Sequence, residues 1–316
     1  MNENEIRLLL KIATMYYEQD MTQSQISKEL SINRTTISRN LKKIREKGIV
    51  KISIDYSIAP SFDVEQQLIN KFSLKDAIVV NTGESDTKEE KLRRLGIAAA
   101  EYLDQIITDS DVIGFSWGSS LYNVVNSLET TKDVNATFVP LIGGPLGKLE
   151  GQYHVNAIVY QAAQKYNGRS LLIDLPAIIK DGDARQYFVN SEHYKEISEY
   201  WNQLTISLLG IGSIEIAGNS IWKNFYEEEV IREAEKRSVV GDILSQFYDL
   251  DGNLVETSLS NRLTAFNINQ LQKARYSIGI AESMEKVKGI IGALNGGYIN
   301  VLITTDETAK FILSSS

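Results

Sequence analysis

MTQSQISKELSINRTTISRNLKKIREKG, residues 21–48, reads as two short helices joined by a tight turn, the second offering a face of cations and hydroxyls. Thr22 is placed to N-cap the first helix, and Gln25 three residues on completes a capping box. Ile26 and Leu30 lie four apart and give that helix one buried stripe. Ser31, Ile32 and Asn33 supply the turn, and the second helix buries Ile37, Leu41 and Ile44. Turning about 100° per residue from Ile37 puts Thr35, Arg39 and Lys42 on the opposite side, flanked by Thr36, Ser38 and Lys43. Hydroxyls and a guanidinium suit base edges in a major groove, and lysines suit phosphate. The pattern predicts a DNA-recognition helix: Thr35, Thr36, Ser38 and Arg39 read bases, while Arg34, Lys42 and Lys43 grip the backbone. Gln23, at the start of the first helix, belongs to the same expected interface.

The competing reading is a helical hairpin with an ordinary solvated basic surface. Charge distribution argues against it. Residues 33–51 hold seven Lys or Arg against one acid, Glu46. The first 57 residues carry a net +3, so the remainder must carry −11 to give the whole chain its −8. A cationic patch on an acidic protein fits a regulator that touches DNA through one module rather than a nonspecific coat.

Outward from this stretch, residues 6–17 (IRLLLKIATMYY) form a helical pattern with Ile6, Leu9, Leu10 and Ala13 on the inner face. After Gly48, the run IVKISI over 49–54 alternates as a wing strand, completing a winged helix-turn-helix over residues 1–56. Residues 57–60 are the expected joint, and 62–72 a linking helix. From Asp76 onward short apolar runs alternate with amphipathic helices. Strands are expected at 77–80, 111–116, 137–142, 170–175, 206–211, 276–281 and 300–304. Helices are expected at 88–107, 119–128, 153–166, 192–204, 228–236, 286–294 and 306–313. Glycine-bounded strands separated by helices predict an α/β domain, residues 57–316, with a mostly parallel sheet covered on both faces. Residues 239–252 read as an antiparallel excursion.

Composition bounds the chemistry. The chain has 316 residues, 43% hydrophobic, four prolines and no cysteine, enough for a small and a large domain and incompatible with disulfides or thiolate metal sites. The opening MNENEIRLLL does not read as a signal peptide, and no apolar run approaches the ~20 residues of a spanning helix. A cytoplasmic protein with no membrane partner and no cofactor is expected.

Three predicted strands run into glycine-rich loops: Ser116-Trp117-Gly118-Ser119-Ser120, Gly143-Gly144 and Gly212-Ser213. In an open α/β sheet ligands bind beyond the carboxyl ends of the strands, where backbone N–H groups and helix dipoles favour anions. Gly114-Phe115-Ser116-Trp117-Gly118 also matches the G-x-S-x-G nucleophile elbow, so a hydrolase is a rival reading. The chain has only two histidines, His154 and His193, and neither follows an acid in a convincing triad setting. Two histidines without cysteine also argue against zinc. Further polar candidates are Asn156, Asp242, Arg262 and Lys286, the last two being natural partners for an anionic effector.

Five blocks, MTQSQISKEL…TTISRNLKKIREKGIVKI, DVIGFSWGSSL, VPLIGG, VGDILSQFYDLDG and KVKGIIGALNGGYINVLITTDETA, resemble the SorC family of bacterial sugar-responsive transcriptional regulators along essentially the whole chain. The resemblance implies an effector domain folded like glucosamine-6-phosphate deaminase and ribose-5-phosphate isomerase, homo-oligomers that are often tetramers, and phosphorylated sugars or related metabolites as inducers. It implies an effector site of Ser116, Trp117, Gly118, Ser119, Ser120, Gly143, Gly144, Asn156, Asp242, Arg262 and Lys286. Two departures stand out. Ile142 occupies the place of the lysine with which some relatives form a Schiff base, which excludes an imine there and leaves Lys148 as the nearby amine. Glu282-Ser283 replaces a glycine pair before Lys286, adding negative charge where a phosphate contact is implied. The implied partners are operator DNA and a small effector, and the enzymatic alternative is a sugar-phosphate isomerase or deaminase carrying an accessory DNA-binding domain.

Overall fold

The structure is a computed structural model that describes residues 3–51, 60–83, 85–129, 132–145, 147, 150–217 and 225–315. The chain forms two compact units, Met1–Ile58 and Ala59–Ser316. The expected joint (57–60) falls largely outside the described residues, as do the far end of the expected wing strand (52–54) and Lys148.

Among the described residues the first unit packs three helices, α1 (Glu3–Ala13), α2 (Gln23–Leu30) and α3 (Arg34–Glu46), with one π-helical segment, Thr14–Glu18, after α1. The capping box on α2 is formed: the Thr22 hydroxyl accepts from Gln25 N–H at 3.3 Å, and the Gln25 side chain accepts from Thr22 N–H at 2.8 Å. Ser31 closes α2 in the left-handed region at φ 54°, which turns the chain sharply into α3. Ile26, Ile37, Leu41 and Ile44 are buried together with Leu9, Ile12, Ala13 and Met15. The inner face of α1 keeps the expected Leu9 and Ala13 but not Ile6 and Leu10. Ile6 and Leu10 are 38% and 49% exposed, and Ile12 is fully buried in their stead. A heptad-like pattern in a helix so rich in aliphatics fits two faces, and packing against α3 chooses between them. Because this unit is small, its core is sensitive. Ile37→Ala is expected to cost about 2–5 kcal/mol and to abolish DNA binding at physiological temperature. Denaturant unfolding should then show a separate early transition while the larger unit's transition stays in place.

The second unit opens with α4 (Pro60–Phe72), β1 (Asp76–Val80), α5 (Lys88–Ile106), β2 (Val112–Phe115), α6 (Ser119–Ser127) and β3 (Thr137–Pro140). It continues through α7 (Val155–Lys165), β4 (Arg169–Ser170), α8 (Gly182–Val189), α9 (Glu192–Trp201), β5 (Ile206–Gly210), β6 (Gly212–Ser213) and the single turn α10 (Ile214–Ala217). It ends with α11 (Glu228–Lys236), β7 (Gly241–Ile243), β8 (Gln246–Tyr248), β9 (Tyr276–Ile280), α12 (Val287–Asn295), β10 (Val301–Thr305) and α13 (Asp306–Ser315). Seven strands form one parallel sheet in the order β1-β10-β9-β5-β2-β3-β4. Val112, Ile113 and Phe115 of β2 and every residue of β10 are buried, the mark of strands covered on both faces. The expected excursion is present: β7 and β8 pair antiparallel, and β6 joins them as a third strand.

One expected strand is mostly absent. Of 170–175 only Ser170 pairs in the sheet, as the end of β4. Beyond it the Asn156 side chain bonds both the N–H and the C=O of Ile173, each at 3.0 Å, so this backbone is satisfied without a neighbouring strand. Helix α7 also starts later than predicted, after a 3-10 turn over Gly151–Tyr153, with His154 as its N-cap. Helix α8 was not anticipated; none of its residues is buried, so no apolar stripe announces it.

The strand order fixes where a ligand can enter. After β2 the chain moves through β3 and β4 on one side, then returns to place β5, β9 and β10 on the other. The reversal falls between β2 and β5, and in sheets of this kind a crevice opens there beyond the carboxyl ends.

Candidate functional site

On the first unit, α3 turns its buried stripe inward and leaves Arg34, Thr35, Thr36, Ser38 and Arg39 exposed. The Lys42 side chain is 75% exposed and lies 3.8 Å from Glu46, a loose surface pair of little energetic weight. Gln23 is half-buried at the start of α2. Lys43 differs from the rest: it is half-buried and bonded to Glu5 of α1, so it serves the packing of α3 on α1. Around the buried Ile37, Arg34, Thr35, Thr36, Ser38 and Arg39 present three hydroxyls and two guanidinium groups at the amino-terminal half of a presented helix, where recognition helices meet base edges.

On the second unit a cleft of about 680 Å³, open mouth included, lies at the β2–β5 switch point. It is lined by residues 116–120 after β2, by residues 210–213 at the end of β5 and beginning of β6, and by Tyr226, Asp242, Leu244 and Lys286. Ser116 is buried, and its hydroxyl accepts from Gly210 N–H at 2.9 Å, tying the two loops together. Gly118 takes φ 106°, which admits only glycine comfortably, and starts α6 without a side-chain cap. The first N–H groups of α6, which begins among the cleft-lining residues 118–120, therefore have no side-chain cap. Trp117 is buried edge-on against Phe225, with ring centroids 5.0 Å apart.

Asp242 is held with care. Its Oδ2 accepts from Ser245 N–H at 3.1 Å and from the Tyr226 hydroxyl at 3.4 Å. Gly212 is its partner in the β6–β7 ladder, and any side chain there would collide with the Asp242 carboxylate. Burial pushes the Asp242 carboxyl up to about 6, against the pull of the Ser245 N–H, the Lys286 ammonium and the Tyr226 hydroxyl. Burial likewise pushes the Lys286 ammonium down, with Glu282 opposing it, Lys88 adding to it, and Asp242 and Glu285 opposing.

Asp242 consequently leaves a mark on stability. The folded chain holds this proton more tightly than an unfolded one, whose ordinary value is 3.8. The destabilisation is therefore absent below about pH 4, grows as pH rises toward 6, and is complete above it. Asp242→Asn is expected to narrow the fall of melting temperature across this window relative to the parent protein. Parallel pH–Tm curves for the two proteins would refute the assignment.

The remaining candidates from the sequence lie elsewhere. Gly144 and Arg262 line a second, more apolar cavity with Pro145, Ile178, Phe225 and Val230. Arg262 is held by Glu227 in a two-pronged pair at 2.8 and 3.1 Å. Gly143 has no room for a Cβ against the Leu175 and Pro176 backbone, so close packing accounts for it. Asn156 spends both ends of its amide on Ile173. Ile142 is fully buried beside Ala265. Tyr226 and Leu244 line the first cleft and escaped sequence reading, because nothing in their spacing marks them. The nucleophile-elbow reading finds no support in the histidines: His154 Nδ1 accepts from Asn156 N–H as the α7 cap, and His193 is exposed on α9.

Comparison with known proteins decides the family. A family model described as a sugar-binding domain matches residues 56–314, and a bacterial regulatory protein model of the arsR family matches residues 7–51. The chain is 45% identical over 313 residues, 99% of each chain, to the sorbitol operon regulator of Klebsiella pneumoniae. The crystal structure of that full-length regulator, SorC, superposes with a TM-score of 0.78 over 99% of this chain and 100% of its own. The chain belongs to the SorC family. The deoxyribonucleoside regulator of Bacillus subtilis is a more distant relative, 28% identical over 316 residues and 99% of both chains. This SorC-family protein is thus a DNA-binding transcriptional regulator built from a helix-turn-helix unit and a sugar-binding α/β unit, and not an enzyme. Among the described residues no helix is long and apolar enough to cross a membrane.

Proposed function

We propose that this regulator controls a carbohydrate operon by sensing a small sugar, polyol or their phosphate ester in the β2–β5 cleft. The observation that carries this reading is the cleft's chemistry at the switch point. Hydroxyls of Ser119, Ser120 and Ser213, the N–H groups opening α6, the Asp242 carboxylate and the Lys286 ammonium converge on one space. Alternating donors and acceptors of this kind match the hydroxyls of a carbohydrate. Thr35, Thr36, Ser38 and Arg39 read the operator, Arg34 and Lys42 hold phosphate, and Gln23 supports them.

The protein acts in the cytoplasm as a homo-oligomer, a dimer or tetramer. A two-fold pair would set two recognition helices about 34 Å apart on a pseudopalindrome. The effector must bind one arrangement better than another, since equal affinity for both shifts nothing.

The test joins two measurements on the full-length protein. A carbohydrate panel that includes sorbitol is screened for a rise in melting temperature, and each hit is titrated into the protein bound to DNA from upstream of its own operon. A stabilising carbohydrate should also change operator affinity by about tenfold or more. A panel without a single stabilising member, or hits that leave DNA affinity untouched, would refute the reading.

A further inference from the structure

We infer that Ser283 is a positioning residue for Lys286: it keeps the loop between β9 and α12 in a backbone conformation natural only to glycine, so the ammonium is presented to the cleft against a standing strain. The inference rests on the reading of the β2–β5 cleft as the effector site and names the element that governs how readily Lys286 is in place.

The loop is short. Strand β9 ends at Ile280, and a 3-10 turn over Met284–Lys286 leads into α12 and brings Lys286 to the cleft wall. Between strand and turn, Ser283 lies at φ 106° and ψ 155°. A residue with a Cβ is strained there and persists only where its surroundings hold it. Three hydrogen bonds do so. Ser283 N–H donates to Thr308 Oγ1 of α13 at 3.1 Å, and Lys286 N–H donates to the Ser283 C=O at 3.2 Å. The Ser213 hydroxyl of β6 donates to the Glu285 C=O at 2.7 Å, and Ser213 itself lines the cleft. The last bond therefore ties the loop to the wall of the site.

The Ser283 side chain adds nothing to this support. Its hydroxyl oxygen is buried near the Glu285 carboxylate, yet it makes no well-formed hydrogen bond. A buried hydroxyl without a partner opposes the conformation, as the backbone does, and each effect is of the same order as one of the tethers. Opposing terms of similar size give a loop with two accessible states. In one, Lys286 lines the cleft. In the other, Ser283 leaves the left-handed region and the turn that carries Lys286 loses its support. A ligand that contacts Lys286 binds only the first state, so its apparent affinity is lowered by the fraction of molecules in that state.

Hydrogen exchange on the full-length protein without ligand, read over residues 281–287 and corrected for intrinsic rates, tests the strain. Glycine ordinarily loosens a loop. Here Ser283→Gly should slow exchange by about threefold to tenfold, the strain relieved less the extra freedom glycine gains when the loop opens. Ser283→Ala, which removes the hydroxyl and keeps the Cβ, should give a clearly smaller effect. Equal or faster exchange in Ser283→Gly overturns the inference, and so does alanine protecting the loop as well as glycine. Isothermal titration then compares Ser283→Gly with the parent protein, using D-glucitol, D-fructose and the 6-phosphate of each. Whichever compound binds should bind the glycine variant about threefold to tenfold more tightly. Equal affinity in a variant whose loop is slowed overturns the positioning role. Failure of all four compounds to bind either protein counts against the carbohydrate reading, and exchange without ligand then decides the inference by itself.

Discussion

Replacing Arg39 with alanine is expected to lower discrimination between operator and random DNA by about 1–3 kcal/mol, roughly 5- to 150-fold, with a smaller loss on random sequence. Arg39 is exposed on the side of α3 opposite Ile37, and a guanidinium fork bonds guanine more selectively than any other base. Lys42 sits on the same side, 75% exposed and only loosely matched by Glu46. Its removal should weaken operator and random DNA alike and reduce the salt slope by about one counterion. Fluorescence anisotropy on both duplexes at several salt concentrations separates the two roles. An equal loss on both sequences for Arg39→Ala would remove it from the base-reading set. Lys43→Ala is the instructive contrast, since its bond to Glu5 makes it an element of helix packing.

The second large effect is expected at a residue without a side chain. A Cβ on Gly212 would sit 1.9 Å from Asp242 Oδ1 and 2.8 Å from its carboxyl carbon. Asp242 is short, and its other oxygen is fastened by Ser245 and Tyr226, so it cannot swing clear cheaply. Gly212→Ala should therefore cost about 1–3 kcal/mol of stability in the larger unit and displace the carboxylate from the cleft. Loss of a charged acceptor there should weaken effector binding by about tenfold to a hundredfold. Operator binding without effector should stay close to that of the parent protein, because the substitution lies in the other unit. The decisive comparison is the effector-induced rise in melting temperature. A Gly212→Ala protein that retains the full rise would show that Asp242 does not meet the ligand.

Local chemistry wrote much of the architecture into the chain. Thr22 and Gln25 cap α2, Thr87 and Glu90 cap α5, and each pair needs only three residues of separation to be recognised. Apolar runs such as those of β5, β9 and β10 announce buried parallel strands because both faces must be covered. Patterns that admit two solutions were less legible. The aliphatic-rich α1 offered two inner faces, and an apolar run after Ser170 resembled a strand until Asn156 claimed its backbone.

The sequence by itself determined the two-part plan, the exposed cationic helix, the parallel α/β unit and the glycine-rich loops that end its strands. These follow from periodicity, capping and backbone freedom, which act between near neighbours. Only the tertiary structure decided which of those loops share a cleft. Ser116 and Gly210 meet because the chain reverses between β2 and β5, and Asp242 reaches them because β7 pairs with β6 across Gly212. Asn156 and Arg262 carry equally suggestive polar groups, yet Ile173 and Glu227 have already bound them. Whether a polar side chain is free for a ligand depends on partners distant in the chain, and those distances exist only in the folded molecule.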